Sequence, residues 1–318
     1  MSDLPAEFAR IARYFRPLAG PGSLALTDDA AVLAPPAGRE LVLTADAMVA
    51  GVHFLPDDPP DLIARKLLRT NLSDLAAMGA VPLGYLLTIS VPRDTPESWF
   101  SSFSAGLAQD QAEFAISLLG GDSTSTPGPV TLSLTALGTV ATGQAIRRSG
   151  ARPGDGLWVT GAIGDGALGL LAAQGTLPDP TGWLAGRYRL PQPRLNFARY
   201  DIVSAALDIS DGLVQDVGHI CRASGCAAEI MSIQVPRSDA ALAAGEAFLP
   251  LCLTGGDDYE LALAVPPAAE AALPAHAASL GVAVTRIGHF LAGPPGVRVI
   301  GPDGADLALT RGGWSHFP

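Results

Sequence analysis

Lysine is almost absent from this sequence, which contains Lys66 as its one lysine and 19 scattered arginines. The formal net charge is −11. Because proteins hold nucleic-acid backbones with clustered Lys and Arg, this charge balance disfavours a nucleic-acid partner. An acidic protein that binds phosphate groups needs another source of positive charge, and divalent metal ions are the obvious one.

Cysteine is also scarce, and its three residues, Cys221, Cys226 and Cys252, show no metal-type spacing. An odd, low count favours reduced thiols in the cytoplasm. We expect Cys221 and Cys226 to pack against a core rather than to bind zinc.

The sequence lacks any uninterrupted apolar run of the ~20 residues that a membrane-spanning helix needs. Its first residues carry acid and no basic stretch, so no secretory signal is predicted. With 48% apolar residues, the 318-residue chain is expected to be soluble and to form two domains. The apolar pattern breaks near residues 145–154, which predicts domains at 1–146 and 147–318.

Several phosphate-binding and catalytic motifs are missing. The sequence has no GxxxxGK[ST] loop, no kinase HRD or DFG motif and no GxSxG elbow. The glycines at 161, 164 and 166 do not form a dinucleotide fingerprint in good context. If the protein transfers phosphoryl groups, metal ions and arginines must therefore compensate the charge.

Apolar periodicity predicts helices packed on sheets, an α/β (α+β type) fold. The predicted helices cover residues 8–15, 61–78, 99–114, a segment ending near 171, and 210–223. The predicted strands cover residues 41–46, 83–91, 115–119, 130–140, 157–160, 207–209, 249–253, 260–265, 282–288 and 297–300. Residues 187–193 are predicted to be a loop.

Acidic residues recur where predicted strands end or where glycines indicate turns. They stand at Asp28-Asp29, Asp46, Asp74, Asp122, Asp208 with Asp211, and Asp257-Asp258 with Glu260. In α/β proteins, strand ends and the loops after them form the ligand crevice. Magnesium is usually held by a few carboxylates together with substrate phosphate. The acids therefore predict a site for magnesium ions and a triphosphate.

Each acid taken alone also has a structural interpretation. Asp28-Asp29 is compatible with an Asx turn, and Asp46 with capping of the next turn. Ser210 or Asp211 fits the N-cap of the following helix, a role that does not exclude metal binding. A lone histidine such as His53 is often structural. The prediction rests on the number and placement of the acids.

Eight motifs follow one another along the sequence. They are Asp28-Asp29-Ala-Ala-Val-Leu, Thr44-Ala-Asp46, Val49-Ala-Gly-Val-His53-Phe, Asn71-Leu-Ser-Asp74-Leu-Ala-Ala-Met-Gly-Ala, Gly120-Gly-Asp122-Ser-Thr, Arg148-Ser-Gly-Ala-Arg-Pro-Gly-Asp, Asp208-Ile-Ser-Asp211-Gly-Leu and Gly255-Gly-Asp-Asp-Tyr-Glu-Leu. In this order they resemble the thiamine-monophosphate kinases, a family of the aminoimidazole-ribonucleotide synthetase-like superfamily. The resemblance extends from Phe8 to Trp314.

This resemblance implies two α/β domains, with N-terminal sheets that pair into a homodimer and an active site in a cleft between domains. It implies direct phosphoryl transfer from ATP to thiamine monophosphate, without a phosphoenzyme. An acceptor phosphate is already mostly ionised at neutral pH, so no general base is required. Several magnesium ions would remove the repulsion between the two anions.

The resemblance also assigns residues to roles. The implied magnesium ligands are Asp29, Thr44, the backbone of Ala45, Asp46, Asp74, Asp122, Asp208 and Asp211. The implied ATP contacts are Gly121, Asp122, Arg148 and Ser210. The implied contacts to the thiamine phosphate are His53, Asp257 and Trp314. This sequence departs from the family pattern at Thr27, where glycine is usual, at Ala45, where a hydroxyl residue is usual, and at Asp257, where glutamate is usual.

Two other interpretations stay open at the level of the sequence. The chain is compatible with another ATP-dependent enzyme of the superfamily, similar to aminoimidazole-ribonucleotide synthetase. The selenophosphate synthetases would need a reactive Cys near the N-terminal glycines, whereas the first cysteine here is Cys221. The hydrogenase maturation relative would need a C-terminal Cys, whereas this sequence finishes with Pro318. A non-catalytic nucleotide or metal sensor would keep the fold, but it would not need the full set of acids.

Overall fold

Two sheets, each with its own helices, make up the protein, and a computed structural model describes residues 6–310 and 312–314. One unit comprises residues 1–75 and 80–143, and the other comprises residues 76–79 and 144–318. Both are mixtures of helix and strand, which confirms the predicted fold class. Among the described residues, no helix is long and apolar enough to cross a membrane.

The N-terminal unit is a four-stranded sheet with two long helices. Its elements are α1 (Ala6–Arg10), a π-helical turn (Ile11–Phe15), 3-10 turns (Arg16–Leu18 and Leu24–Leu26), β1 (Arg39–Val49), α2 (Pro60–Ala77), β2 (Val81–Val91), α3 (Glu97–Phe114), β3 (Leu118–Ser125) and β4 (Thr131–Ala141). The strand order is β1-β4-β2-β3, with β2 and β3 parallel and the other pairs antiparallel. Strands β1 and β3 therefore form opposite edges of the sheet.

Helix α2 is buried on nearly all of its sides. In its predicted apolar stripe, Leu67, Leu68 and Leu72 are completely buried, whereas Leu62 near the start of the helix is partly exposed. Pro60 suits its first position because the first N–H groups of a helix have no partner within it. The helix ends before Gly79, whose φ of +69° is the left-handed conformation that glycine adopts readily. The helix predicted at 61–78 is confirmed.

The N-terminal unit also buries an ionic network between α2 and α3. Arg69 donates from Nε to Asp110 Oδ2 at 2.7 Å and from Nη2 to Asp110 Oδ1 at 2.9 Å. Arg65 donates to the same carboxylate at 2.7 Å. The Arg69 and Asp110 side chains are 1% and 0% exposed, so their charges depend on each other for compensation.

One face of the N-terminal sheet packs on the helices and the other, the open face, does not. Along β1, Val42 and Met48 are buried, whereas Leu41 and Leu43 are 44% and 59% exposed. Successive side chains of a strand point to opposite faces, so these leucines lie on the open face. The prediction of a buried strand at 41–46 is therefore wrong in one respect, because only alternate residues of β1 are buried.

The C-terminal unit is built on a six-stranded sheet. Its elements are β5 (Gly156–Thr160), α4 (Asp165–Ala173), α5 (Trp183–Arg189), β6 (Ala205–Asp208), α6 (Leu213–Ser224), β7 (Ala227–Met231), a 3-10 turn (Ser232–Gln234), α7 (Asp239–Ala244), a 3-10 turn (Glu246–Phe248), α8 (Leu249–Thr254), β8 (Leu261–Val265), α9 (Leu273–Ser279), β9 (Val284–Leu291) and β10 (Gly296–Ile300). The strand order is β10-β7-β9-β5-β8-β6, and β7 with β10 is parallel.

This second sheet is covered on both faces. In β8, Ala262 and Ala264 belong to one apolar cluster, whereas Leu261 and Leu263 belong to another. Residues that alternate along a strand face opposite sides, so the two clusters lie on the two faces of the sheet. Cys221 and Cys226 are buried in the first cluster, which confirms the prediction that they pack in a core.

Two segments differ in structure from the prediction. Residues predicted as a strand at 249–253 form the helix α8, in which Leu249, Cys252 and Leu253 are buried. Their spacing is that of one helical face, and Pro250 lies in the first turn, where it is tolerated. Residues 187–189, predicted as loop, continue α5.

Two predicted site residues also occupy other positions in their strands. Asp46 does not end its strand, because β1 continues to Val49. Asp122 lies inside β3 rather than after a strand at 115–119. β3 is an edge strand beside the open face, and polar residues such as Asp122 and Ser123 need no burial there. The prediction from apolar runs alone therefore ended both strands too early.

Replacing Asp110 with alanine should strongly destabilise the N-terminal unit. The change removes the buried carboxylate that accepts from both Arg65 and Arg69 at 2.7 Å and leaves their pairs with the 45% exposed Glu113. Breaking a buried pair typically costs about 3–5 kcal/mol. Amide hydrogen exchange of α2 and α3 would measure this loss within the unit. Asp201→Ala, which breaks an exposed pair with Arg199, should change stability by less than about 1 kcal/mol. Unchanged exchange in Asp110→Ala would contradict the prediction.

Candidate functional site

Strand β1 and helix α2 bring three predicted magnesium ligands together. Thr44 and Asp46 alternate with exposed residues of β1 and lie on the same face as the buried Val42 and Met48, which packs on the helices. The Thr44 hydroxyl donates to Asp74 Oδ2 of α2 at 2.5 Å. Ala45 lies between them with its side chain on the open face, so any contribution must come from its backbone, as expected.

The carboxyl of Asp46 is perturbed by these surroundings. Burial, and then the negative charge of Asp74, raises the pKa of Asp46 to about 6, while a hydrogen bond with Thr70 opposes the shift. Two carboxylates that share a partly buried site disfavour each other's ionised form unless a cation lies between them. Carboxylate and hydroxyl oxygens are the ligands that Mg²⁺ prefers, so this donor set fits the expected metal.

A groove on the open face of the same unit contains two further predicted acids. Its volume is about 760 Å³, and Asp29, Gly121 and Asp122 line it. A Cβ at Gly121 would lie 1.8 Å from the Leu87 carbonyl oxygen, so the close approach of β3 to β2 requires glycine there. Thr88 pairs with Asp122 and also lines this groove.

The sheet separates Asp122 from Asp46 within one chain. Asp122 belongs to β3 and Asp46 to β1, with two strands between them. Neighbouring strands lie about 4.8 Å apart, so these backbones are separated by about 14 Å. Asp122 shares a row across the sheet with Thr88, Ser133 and Ala47, whereas Asp46 points to the other face. The six N-terminal ligands therefore do not form one cluster in a single chain.

In the C-terminal unit, a buried carboxylate shapes the turn that carries Ser210 and Asp211. Asp216 Oδ2 accepts the N–H groups of residues 210, 211 and 212 at 3.0, 2.9 and 3.0 Å. Burial raises the pKa of Asp216 to about 7, although these N–H groups favour its charged form. Asp208, the last residue of β6, is buried at the start of the turn.

Sequence reasoning missed Asp216. The sequence offered one signal for it, an acid in the first turn of the predicted helix after Gly212, where carboxylates satisfy unpaired N–H groups. It also missed Ser224 at the other end of α6. The Ser224 hydroxyl donates to the Arg148 carbonyl oxygen at 3.2 Å and accepts from Gly150 N–H at 3.1 Å, so it holds the loop of the predicted ATP-binding Arg148.

Trp314 and Asp257 lie beside this turn. The main-chain N–H of Trp314 donates to the Asp211 carbonyl oxygen at 2.9 Å, and the Trp314 side chain is 50% exposed. The Asp257 N–H donates to the Ser210 carbonyl oxygen at 3.0 Å. Two residues predicted to contact the acceptor therefore adjoin residues predicted to contact ATP and metal.

A histidine that the sequence reasoning did not select lies in the same area. His219 has a ligand nitrogen within 4.8 Å of carboxylate oxygens of Asp211 and Asp216. Burial, and then the charges of Arg222 and Arg148, lowers the pKa of His219. Arg222 Nη2 lies 2.9 Å from His219 Nδ1, and arginine is always a donor, so Nδ1 accepts and the ring is neutral.

The predicted acceptor residue His53 has a defined tautomer. The Val49 N–H donates to His53 Nδ1 at 3.0 Å, so Nδ1 carries no proton and Nε2 carries the ring N–H. The carbonyl oxygen of His53 accepts from Lys66 Nζ at 3.0 Å. The one lysine of the sequence thus fixes the backbone of this segment.

Comparison with known proteins identifies the class of the chain. The sequence model of the AIR synthase related protein N-terminal domain matches residues 27–140, and that of the C-terminal domain matches residues 152–300. The chain therefore belongs to the AIR synthase related proteins.

Within that class, the chain is similar to proteins named thiamine-monophosphate kinase. One from Caulobacter vibrioides is 47% identical, over 98% of this chain and 91% of the relative. A crystal structure of thiamine-monophosphate kinase from Stenotrophomonas maltophilia K279a is 39% identical, with a TM-score of 0.81 over 89% of this chain and 91% of that one. A structure of AaThiL complexed with AMPPCP and TMP is 28% identical, with a TM-score of 0.77 over 91% of each chain. These relatives confirm the resemblance read from the motifs.

The affinity of the acid pair Asp46 and Asp74 for Mg²⁺ should fall as the pH is lowered through about 6. The raised pKa keeps Asp46 protonated at low pH, and a protonated carboxyl does not bind the ion. Calorimetry should show binding weaker by about tenfold for each pH unit below 6, because one proton must leave. In Asp46→Asn this slope should disappear. A slope that persists in Asp46→Asn would assign the proton to another group.

Proposed function

We propose that the chain transfers the terminal phosphoryl group of ATP to thiamine monophosphate, which gives ADP and thiamine diphosphate. The observation that carries the proposal is the group Thr44, Asp46 and Asp74, in which two carboxylates converge in a partly buried site. Such a group is suited to divalent ions and, through them, to a triphosphate. The choice of thiamine monophosphate as the acceptor rests on the similarity to proteins named thiamine-monophosphate kinase.

The metal ligands that we propose come from both parts of the sequence. They are Asp29, Thr44, the backbone of Ala45, Asp46, Asp74, Asp122, Asp208 and Asp211. Bound Mg²⁺ ions would neutralise the phosphates and align the acceptor with the transferred group. We assign ATP and metal binding to residues 1–146, and part of the nucleotide contacts to the α/β domain 147–318.

The protein's own side chains hold and orient the two substrates. Gly121 and Asp122 offer a backbone and a carboxylate in the open-face groove for the nucleotide with its ions. Arg148, which is exposed, supplies a fixed fork of donors for phosphate, and Ser210 supplies a hydroxyl. The Asp216 carboxylate fixes the Ser210 turn, so the turn needs little reorganisation when ATP binds.

The acceptor contacts that we propose are His53, Asp257 and Trp314. His53 would donate from Nε2 to an anionic oxygen, because its Nδ1 is already occupied by the Val49 N–H. The half-exposed Trp314 ring would stack on an aromatic ring of the acceptor. No general base is assigned, since the acceptor phosphate is already mostly ionised.

We also propose that the chain works as a homodimer that pairs through the open faces of two N-terminal sheets. Leu41, Leu43 and Leu86 are each more than 40% exposed on that face. Contiguous exposed apolar surface is typical of an interaction site. The three cysteines are unpaired and buried, which supports a cytoplasmic location.

The test is to incubate purified protein with ATP and Mg²⁺, with and without thiamine monophosphate, and to separate the products by chromatography. We expect thiamine diphosphate to form in step with ADP, and both to disappear when the metal is chelated. ATP turnover with a different acceptor only would assign the chain to another reaction of the superfamily. Binding of ATP without turnover with any acceptor would favour a nucleotide sensor.

Asp46→Asn and Asp122→Asn should each reduce phosphoryl transfer by at least about 100-fold, the loss typical of removing one preorganised charge-stabilising group. Each change removes a negative charge while keeping the shape of the side chain. Circular dichroism should show an unchanged fold. The exposed Asp94 in the same unit provides the control, and Asp94→Asn should keep normal activity. Near-normal activity in either site variant would refute the metal site.

His53→Ala should raise KM for thiamine monophosphate by about tenfold, the effect expected for losing one hydrogen bond to an anion. KM for ATP should change little, because the donor is assigned to the acceptor. Initial rates measured with each substrate varied in turn would separate the two constants. His276→Ala, which removes a histidine bonded to the Phe197 carbonyl oxygen, is the matched control. An unchanged acceptor KM would remove His53 from the site.

A further inference from the structure

The segment 255–260, with the sequence Gly-Gly-Asp-Asp-Tyr-Glu, contains two non-glycine residues in the left-handed region. Asp257 has a φ of +68° and Tyr259 has a φ of +51°. Residues with a Cβ avoid this region, and they persist there only where the surroundings hold them. Aspartate tolerates the conformation better than a bulky residue such as tyrosine. The conformation of Tyr259 therefore needs a specific cause.

The backbone of the segment is bonded to the turn that carries Ser210. The Asp257 N–H donates to the Ser210 carbonyl oxygen at 3.0 Å, and the Tyr259 N–H donates to the Ile209 carbonyl oxygen at 2.8 Å. In return, the Ile209 N–H donates to the Glu260 carbonyl oxygen at 2.7 Å. A Cβ at Gly256 would lie 2.1 Å from the Ser210 carbonyl oxygen, so the two segments of the chain are in close contact.

Alternate side chains anchor the segment from the buried side. The Asp258 carboxylate accepts the N–H groups of Gly164 and Gly166 at 2.8 and 2.9 Å. The Glu260 carboxylate accepts from the Thr160 hydroxyl at 2.7 Å and from Arg187 at 3.1 Å. Both acids are 1% exposed. These bonds fix the backbone on either side of Tyr259 and account for its unusual conformation.

The same conformation brings the partly exposed side chains of Asp257 and Tyr259 together. The Tyr259 hydroxyl donates to Asp257 Oδ1 at 3.1 Å. A carboxylate held by a neighbouring donor loses less rotational freedom when a ligand binds, which increases its affinity for that ligand. The tyrosine ring can hold that donor firmly because it has few rotatable bonds.

We propose that Tyr259 is a positioning residue for the phosphoryl acceptor. Its hydroxyl holds the Asp257 carboxylate in the orientation that receives a cationic or hydrogen-bond-donating group of the acceptor. This inference rests on the proposed function, in which Asp257 contacts the acceptor. Tyr259 itself touches Asp257 rather than the reacting atoms, so its effect falls on acceptor binding and not on the chemical step.

Tyr259→Phe tests the proposal, because it removes the hydroxyl and keeps the ring. With the full chain, ATP and Mg²⁺, KM for thiamine monophosphate should rise about tenfold, as for the loss of one hydrogen bond to a charged group. KM for ATP and kcat should stay within about twofold. Tyr85→Phe is the matched control, since it removes a buried hydroxyl with a hydrogen bond of the same 3.1 Å length in the other unit.

A double-mutant cycle separates positioning from general loosening of the segment. If Tyr259 acts through Asp257, adding Tyr259→Phe to Asp257→Ala should cause no further rise in the acceptor KM. An equal rise in both backgrounds, or equal rises of the acceptor and ATP constants, would overturn the proposal. If the wild-type protein is active and Tyr259→Phe leaves the acceptor KM unchanged, the proposal for Tyr259 is overturned and the proposed function stands. Wild-type protein that forms no thiamine diphosphate would overturn the proposed function together with this inference.

Discussion

Buried carboxylates that accept main-chain N–H groups determine the shape of the loops in the C-terminal unit. Asp216 binds three such groups in the turn at 210–212, and Asp258 binds two at the N-terminus of α4. A turn that exposes several N–H groups to a buried carboxylate has few alternatives, because leaving those groups unpaired away from water is expensive. The loops that carry Ser210, Asp211 and Asp257 are therefore rigid before any ligand arrives.

Burial divides the acids of this protein into two classes. Asp216 and Asp258 are at most 4% exposed and are occupied by backbone donors, whereas Asp29 and Asp122 are exposed in a groove. Only the second class has oxygens that a solvated ion can reach directly. Asp46 lies between the classes: it is buried enough for its pKa to rise, yet its neighbour is another carboxylate rather than a set of N–H groups. That arrangement suits a cation, whereas Asp216 and Asp258 are satisfied by backbone donors.

Much of the fold could be predicted from the sequence because its helices are long and strongly periodic. The helix at 61–78 and the strands at 83–91 and 130–140 were correct within a few residues. Periodicity failed at 249–253, where five residues are too few to separate strand from helix. In the site, the adjacent acids Asp257 and Asp258 belong to one motif and could not be distinguished from the sequence. The structure shows that side chains of this segment are alternately partly exposed and buried, and that Asp258 is a buried one. Ser224 was missed because its partners are backbone atoms, which leave no pattern in the sequence. Asp216 had only the weak signal of an acid in the first turn of a helix.

The topology of the N-terminal sheet bears on how the acids could serve one substrate. Asp46 and Asp122 occupy opposite edge strands and opposite faces, so a single sheet keeps them apart. The open face next to Asp122 exposes leucines, and exposed apolar surface of this kind is typical of an interaction site. Pairing two such faces would cover the leucines and would also place the β3 edge of one copy beside new surface of the other. The same contact that removes apolar surface from water would thus complete the surroundings of Asp122, which ties assembly to substrate binding.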